Sequence, residues 1–185
     1  MIVLVVAFAM IFSLCACSKK PAEPAQEGNQ DINVGPTVGD YAEPATITVF
    51  APSSAVLFLM TAIDKYSVKR PDITVTANFD SSLVNTEKVM SGYRCDMLVA
   101  EDPAVLDFID AASGKDANPY ELDLIVAGSR RALCTAEDAE SGAELSFSAA
   151  VLKQTAAPYE TQLFIDFLAD CGDDVYADLG FTKAE

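Results

Sequence analysis

The chain has 185 residues, of which 51% are hydrophobic, a length that fits one domain or one and a half with enough apolar material for a packed core. Its formal net charge of -16, from 28 acidic against 12 basic residues, excludes a nucleic-acid surface, which needs clustered Lys and Arg, and electrostatic adhesion to anionic lipid. The chain has no histidine, so a Ser-His-Asp triad, a Cys-His pair and any metal site needing imidazole are excluded too.

Residues 1–17 read MIVLVVAFAMIFSLCAC and are almost wholly apolar, ending in small residues before Ser18-Lys19-Lys20. That pattern reads as a signal peptide, and Leu14-Cys15-Ala16-Cys17 is similar to a bacterial lipobox. Cleavage before Cys17 would leave its thiol as the lipid acceptor. A signal peptide ordinarily begins with Lys or Arg, whereas this one begins Met1-Ile2-Val3, which points to a start codon further upstream. The rival reading is an uncleaved anchor. For that the run is at the short edge of what spans a bilayer, and Lys19 and Lys20 favour the wrong orientation for export. Residues 18–44 are polar, rich in Pro, Glu, Gln, Gly and Asn, and without periodicity, as in a flexible tether.

From residue 45 the pattern changes. Residues 46–51, TITVFA, form a β-rich run between Pro44 and Pro52 and predict a buried strand. Ser53-Ser54 then caps a helix over 55–66. A second strand follows over 73–79, where Ile73, Val75, Ala77 and Phe79 alternate with polar residues. Asp80-Ser81-Ser82 caps a helix over 83–91, which Gly92 stops. A third strand over 95–100 leads through Asp102-Pro103 to a helix over 103–110. Three βα units in a row predict a parallel sheet with right-handed crossovers, hence an α/β doubly wound lobe. Beyond the loop at 113–119, strands are expected over 122–127 and 145–152. Helices are expected over 159–169 and 174–179, with Gly180 as the stop.

Two features repeat. Each of the first two strands ends in a serine pair at a helix start, Ser53-Ser54 and Ser81-Ser82. Ligands of open α/β sheets bind outside the carboxyl ends of the strands, and helix N-termini present free N–H groups that suit anions. Two such corners would make a cradle of neutral donors for a tetrahedral oxyanion. The plainer reading is that Ser is a favoured N-cap with or without a ligand.

Residues 47–54 (ITVFAPSS), 75–82 (VTANFDSS) and 95–102 (CDMLVAED), with the closing pieces 149–153 (AAVLK), 164–168 (FIDFL) and 179–182 (LGFT), occur in an order that resembles the periplasmic molybdate-binding protein of ABC transporters. The resemblance covers nearly everything from Thr46 onward. It implies a type 2 periplasmic solute-binding fold: two α/β lobes joined by hinge strands and closing on the ligand. It implies an oxyanion, molybdate or tungstate, held by uncharged donors only. Ser54 and Ser82 match the family's serine hydroxyls, with Ser53, Ser81 and the amides of the same helix starts beside them. It further implies a location outside the cytoplasm on the cell envelope, a lipid anchor at Cys17, an ABC permease as partner, and neither enzyme activity nor cofactor nor metal.

The chain departs from that pattern in the middle. Residues 121–129 look like the first hinge crossing, and by Leu145 the chain reads as the return strand, so residues 121–145 hold the hinge and a truncated second lobe. The segment between, RRALCTAEDAESGAE, cannot form a lobe with its own core. The second-lobe ligands, a tyrosine included, find no counterpart in Tyr93, Tyr120 or Tyr159. Asp80 places a carboxylate beside the expected anion, and Pro52 removes an amide donor.

Two other classes compete with oxyanion transport. One is a lipoprotein that kept the fold as a binding or interaction module without oxyanion affinity. The other is an enzyme using Ser54 or Ser82 as nucleophile, which lacks a histidine base, with Lys65 and Lys88 well inside helices. The acidic groups Asp102/Asp107/Asp110 and Asp166/Asp170/Asp173/Asp174 lack calcium-loop spacing and read as solvated helix faces. Cys95, Cys134 and Cys171 could hold one disulfide with a thiol left over, or serve as small buried residues.

Overall fold

The structure is a computed structural model that describes residues 44–112, 124–172 and 174–185. The expected signal peptide with Cys17, the expected tether up to residue 43, the loop at 113–119, the start of the expected hinge, Tyr120 and Asp173 lie outside the described residues. The elements run β1 (Ala45–Pro52), a 3-10 turn (Ser53–Ala55), α1 (Val56–Lys69), β2 (Ile73–Asp80), α2 (Ser82–Met90), β3 (Met97–Ala100) and α3 (Pro103–Ala112). They continue with β4 (Arg131–Glu137), β5 (Glu144–Val151), α4 (Pro158–Asp170), a 3-10 turn (Ala177–Leu179) and β6 (Thr182–Lys183). Among the described residues no helix is long and apolar enough to cross a membrane.

The strands form one mixed sheet in the order β2-β1-β3-β5-β4-β6. β1 lies between β2 and β3 and is parallel to both, as the three βα units require. β5 joins β3 antiparallel, and β4 and β6 extend the sheet with antiparallel pairings. Period-two alternation sends side chains to opposite faces. Ile47, Val49, Met97, Val99, Ala149 and Val151 pack under α1 and α4, against Phe58, Leu59, Phe164 and Leu168. Phe50, Leu98, Ala100 and Ala150 pack under α2 and α3, against Val89, Leu106 and Ile109. The result is three layers, helix on sheet on helix, and each fully buried aliphatic or Phe side chain contributes about 1.5–3 kcal/mol of transfer free energy.

The segment read as too short for a lobe with its own core builds none. Residues 131–137 are the strand β4, and Asp138 closes its turn into β5. The Asp138 carboxylate accepts the Glu140 and Ser141 amides, and Gly142 supplies the left-handed residue at φ 68°. Two other expectations are corrected. Of the strand over 122–127, the described part makes a single bridge, Ile125 to Leu152, because β5 ends at Val151 and offers no further ladder. The helix over 174–179 shrinks to the 3-10 turn at Ala177–Leu179. Gly180, in left-handed conformation at φ 82°, stops it there as expected.

Candidate functional site

The strand order fixes where a ligand could sit. β1, β2 and β3 are neighbours and parallel, so their carboxyl ends come side by side, and the register pairing of Pro52 with Asp80 sets the first two corners level. Ser54 lies in the 3-10 turn that leaves β1, Ser82 opens α2 after β2, and Glu101 follows the last residue of β3. The three side chains meet. The Ser54 hydroxyl donates to one oxygen of the Glu101 carboxylate at 2.5 Å, and the Ser82 hydroxyl donates to the other at 2.7 Å. Ser54 is exposed, and Ser82 and Glu101 are half-buried. The Glu101 main chain is fixed from the other half of the sheet, because its carbonyl accepts the Ser146 amide of β5 at 3.0 Å.

The second member of each serine pair does other things. Ser81 is the N-cap of α2: its hydroxyl oxygen accepts the Val84 amide at 3.2 Å, and its own amide donates to Asp80. Ser53 is exposed, and its carbonyl accepts the Val56 amide that begins α1. Asp80 does not face the cradle as a bare charge. The Lys88 ammonium donates to it at 3.1 Å and the Ser81 amide at 3.0 Å; these bonds, the lysine's first, hold its carboxyl below the usual range. Lys88 also lies 5.4 Å from the centre of the Phe50 ring. Pro52 is the last residue of β1 and is buried. Beneath the corners Asn85, 1% exposed, donates from its amide nitrogen to the Ala51 carbonyl at 2.8 Å and ties α2 to the end of β1.

Sequence reasoning named Ser54 and Ser82 and missed Glu101. The signal was present: Glu101 stands at the end of the third parallel strand, at the same level as the two serine corners, in the segment 95–102 that carried the resemblance. A carboxylate and a dianion have like charge, and one pair of unit charges 4 Å apart repels by about 1 kcal/mol in water and about 4 kcal/mol at an effective dielectric near 20. The arrangement can therefore hold one anionic group between the serines, and in this structure that group is the protein's own.

Other polar clusters resolve into local pairs. Arg130 pairs with Asp107 and Asp110, Arg131 with Asp166, and Lys65 with Asp174. Among the described residues no three acidic or cysteine side chains are grouped to hold a metal ion. Cys95, Cys134 and Cys171 are free and buried, which decides for the small-residue reading over a disulfide. Burial pushes the thiols of Cys95 and Cys134 up to about 12 and that of Cys171 up to about 11.

No known family's sequence pattern matches the chain, and no curated protein matches it. Solved structures do. The substrate-binding domain assigned to a molybdenum ABC transporter from Clostridium difficile superposes with a TM-score of 0.64 at 9% identity, over 76% of this chain and 100% of that one. The periplasmic molybdate-binding protein of Azotobacter vinelandii gives 0.59 at 9% identity, over 75% and 100%. The sulfate-binding protein SubI of Mycobacterium tuberculosis gives 0.53 at 8% identity, over 74% and 86%. At such identities the likeness is one of fold: the chain has a mixed α/β fold of the periplasmic-binding-protein kind.

Proposed function

We propose that the protein is an extracytoplasmic solute-binding lipoprotein of an ABC transporter, anchored through Cys17, that takes a tetrahedral oxyanion, molybdate or tungstate, between Ser54 and Ser82. The observation that carries this reading is the convergence of two hydroxyls, from two separate strand-to-helix corners, on a single anionic group. Neutral donors on rigid elements at the carboxyl ends of parallel strands are suited to bind an oxyanion without a counter-charge. The fold shared with molybdate- and sulfate-binding proteins supports the same reading. Isothermal titration of the chain with molybdate, with sulfate as control, tests it. The expected result is a saturable, molybdate-selective heat that disappears in the Ser54→Ala/Ser82→Ala double variant. A folded protein that gives no heat with either anion contradicts it.

A second reading has observations of its own. The described residues form one sheet, and large apolar side chains lie exposed near the cradle: Leu83 is 69% exposed and Phe108 60%, both lining the cleft between α2 and α3 that Ser82 also borders. In that reading the protein keeps the fold as an interaction module and transports no oxyanion.

A further inference from the structure

We propose that Glu101 acts as the resident ligand of this site and sets its affinity for oxyanions, so that an oxyanion binds only by displacing the Glu101 carboxylate from Ser54 and Ser82. The inference rests on the oxyanion reading above and goes one step beyond it.

A serine hydroxyl has one proton to donate. Both protons are committed: Ser54 to one carboxylate oxygen at 2.5 Å, Ser82 to the other at 2.7 Å. A fully ionised tetrahedral dianion and an ionised carboxylate both offer acceptors only, so no hydrogen bond can join them. Both also carry negative charge, and Lys88, about one turn and a half along α2 from Ser82, is engaged with Asp80. The cradle therefore accommodates the dianion or the carboxylate, and not the two together.

The exchange needs no movement of the fold. The Glu101 carbonyl is held by the Ser146 amide of β5, and Asp102 caps α3 by accepting the Ala104 amide. With the main chain pinned on both sides, only side-chain rotation is required, and the half-exposed corner gives the released carboxylate water to enter. The apparent dissociation constant then equals the intrinsic one divided by the fraction of time the cradle is free. A carboxylate resident for roughly nine-tenths of the time weakens binding about tenfold. The factor is the same for every oxyanion, so Glu101 scales the affinity of the site and leaves its order of preference unchanged.

The test is molybdate titration of the full chain in mild detergent, comparing wild type with Glu101→Ala and Glu101→Gln, each first checked for a cooperative thermal melt. Glutamine keeps the size and removes the charge, which separates competition by charge from simple obstruction. Both variants are expected to bind molybdate about tenfold or more tightly than wild type. If wild type binds molybdate and neither folded variant binds it more tightly, the resident-ligand role is overturned while the oxyanion reading stands. If only Glu101→Ala improves, the carboxylate obstructs by volume and the charge competition is overturned. If no folded form binds molybdate or sulfate, this inference and the oxyanion reading fall together.

Discussion

The two halves of the sheet are built on opposite rules. β1, β2 and β3 are parallel and each leads into a helix; α2 begins at its Ser81 cap and α3 at Asp102-Pro103, whereas α1 follows a 3-10 turn and the expected Ser53-Ser54 cap makes no side-chain bond to it. β5, β4 and β6 pair antiparallel, and β5 lies beside β3 although α3 and β4 come between the two along the chain. The first half supplies both hydroxyls of the cradle. The second supplies the amide that fixes Glu101 between them. A binding corner assembled from local units thus depends on a strand brought in from far along the chain.

The largest expected effect comes from the seam between the halves. Phe58 of α1 meets Phe147 of β5 at 5.3 Å and Phe181 at 5.1 Å, and Phe147 meets Phe181 at 5.8 Å. Phe147→Ala should lower stability by about 3–5 kcal/mol in urea unfolding. One cooperative transition is expected; two separate transitions would break the comparison by showing that the halves unfold independently.

Next in size is Ser129, which is 3% exposed just ahead of β4. Its hydroxyl donates to the Val126 carbonyl at 2.7 Å and its oxygen accepts the Val151 amide at 3.1 Å. Ser129→Ala leaves that amide unpaired in the interior and should cost about 1–3 kcal/mol, with hydrogen exchange at Val151 accelerating ahead of that at β1. Equal acceleration in both strands would contradict a local tie.

The smallest effect separates capping from binding within one serine pair. Ser81→Ala should cost about 1 kcal/mol of stability, because the Val84 amide loses its cap, and leave molybdate affinity unchanged. Ser82→Ala should do the reverse: little change in the melt and a clear loss of affinity. The same behaviour from both variants would show that the pair does not divide its roles.

These contrasts follow what the sequence made legible. The first three strands and helices were readable because their signals are local: alternation in Ile73–Phe79, caps at Ser81 and Asp102, a proline at the start of α3. The two serine corners were readable for the same reason. β4 was not, because its residues RALCTAE carry no strict alternation, and its place depends on pairing with a strand that comes later in the chain. Glu101 was hidden differently. Its position at the end of the third strand was visible, but a carboxylate among neutral donors runs against the chemistry expected there. Only the convergence of three corners shows that it is held by both hydroxyls.

The most direct test is a crystal structure of the protein grown with saturating molybdate, with the metal located by its anomalous signal. The account predicts a molybdenum peak between Ser54 and Ser82, within hydrogen-bond reach of both hydroxyls through its oxygens, and the Glu101 side chain turned out to solvent. A Glu101 carboxylate still bridging the two serines, with molybdenum elsewhere or absent, would contradict it.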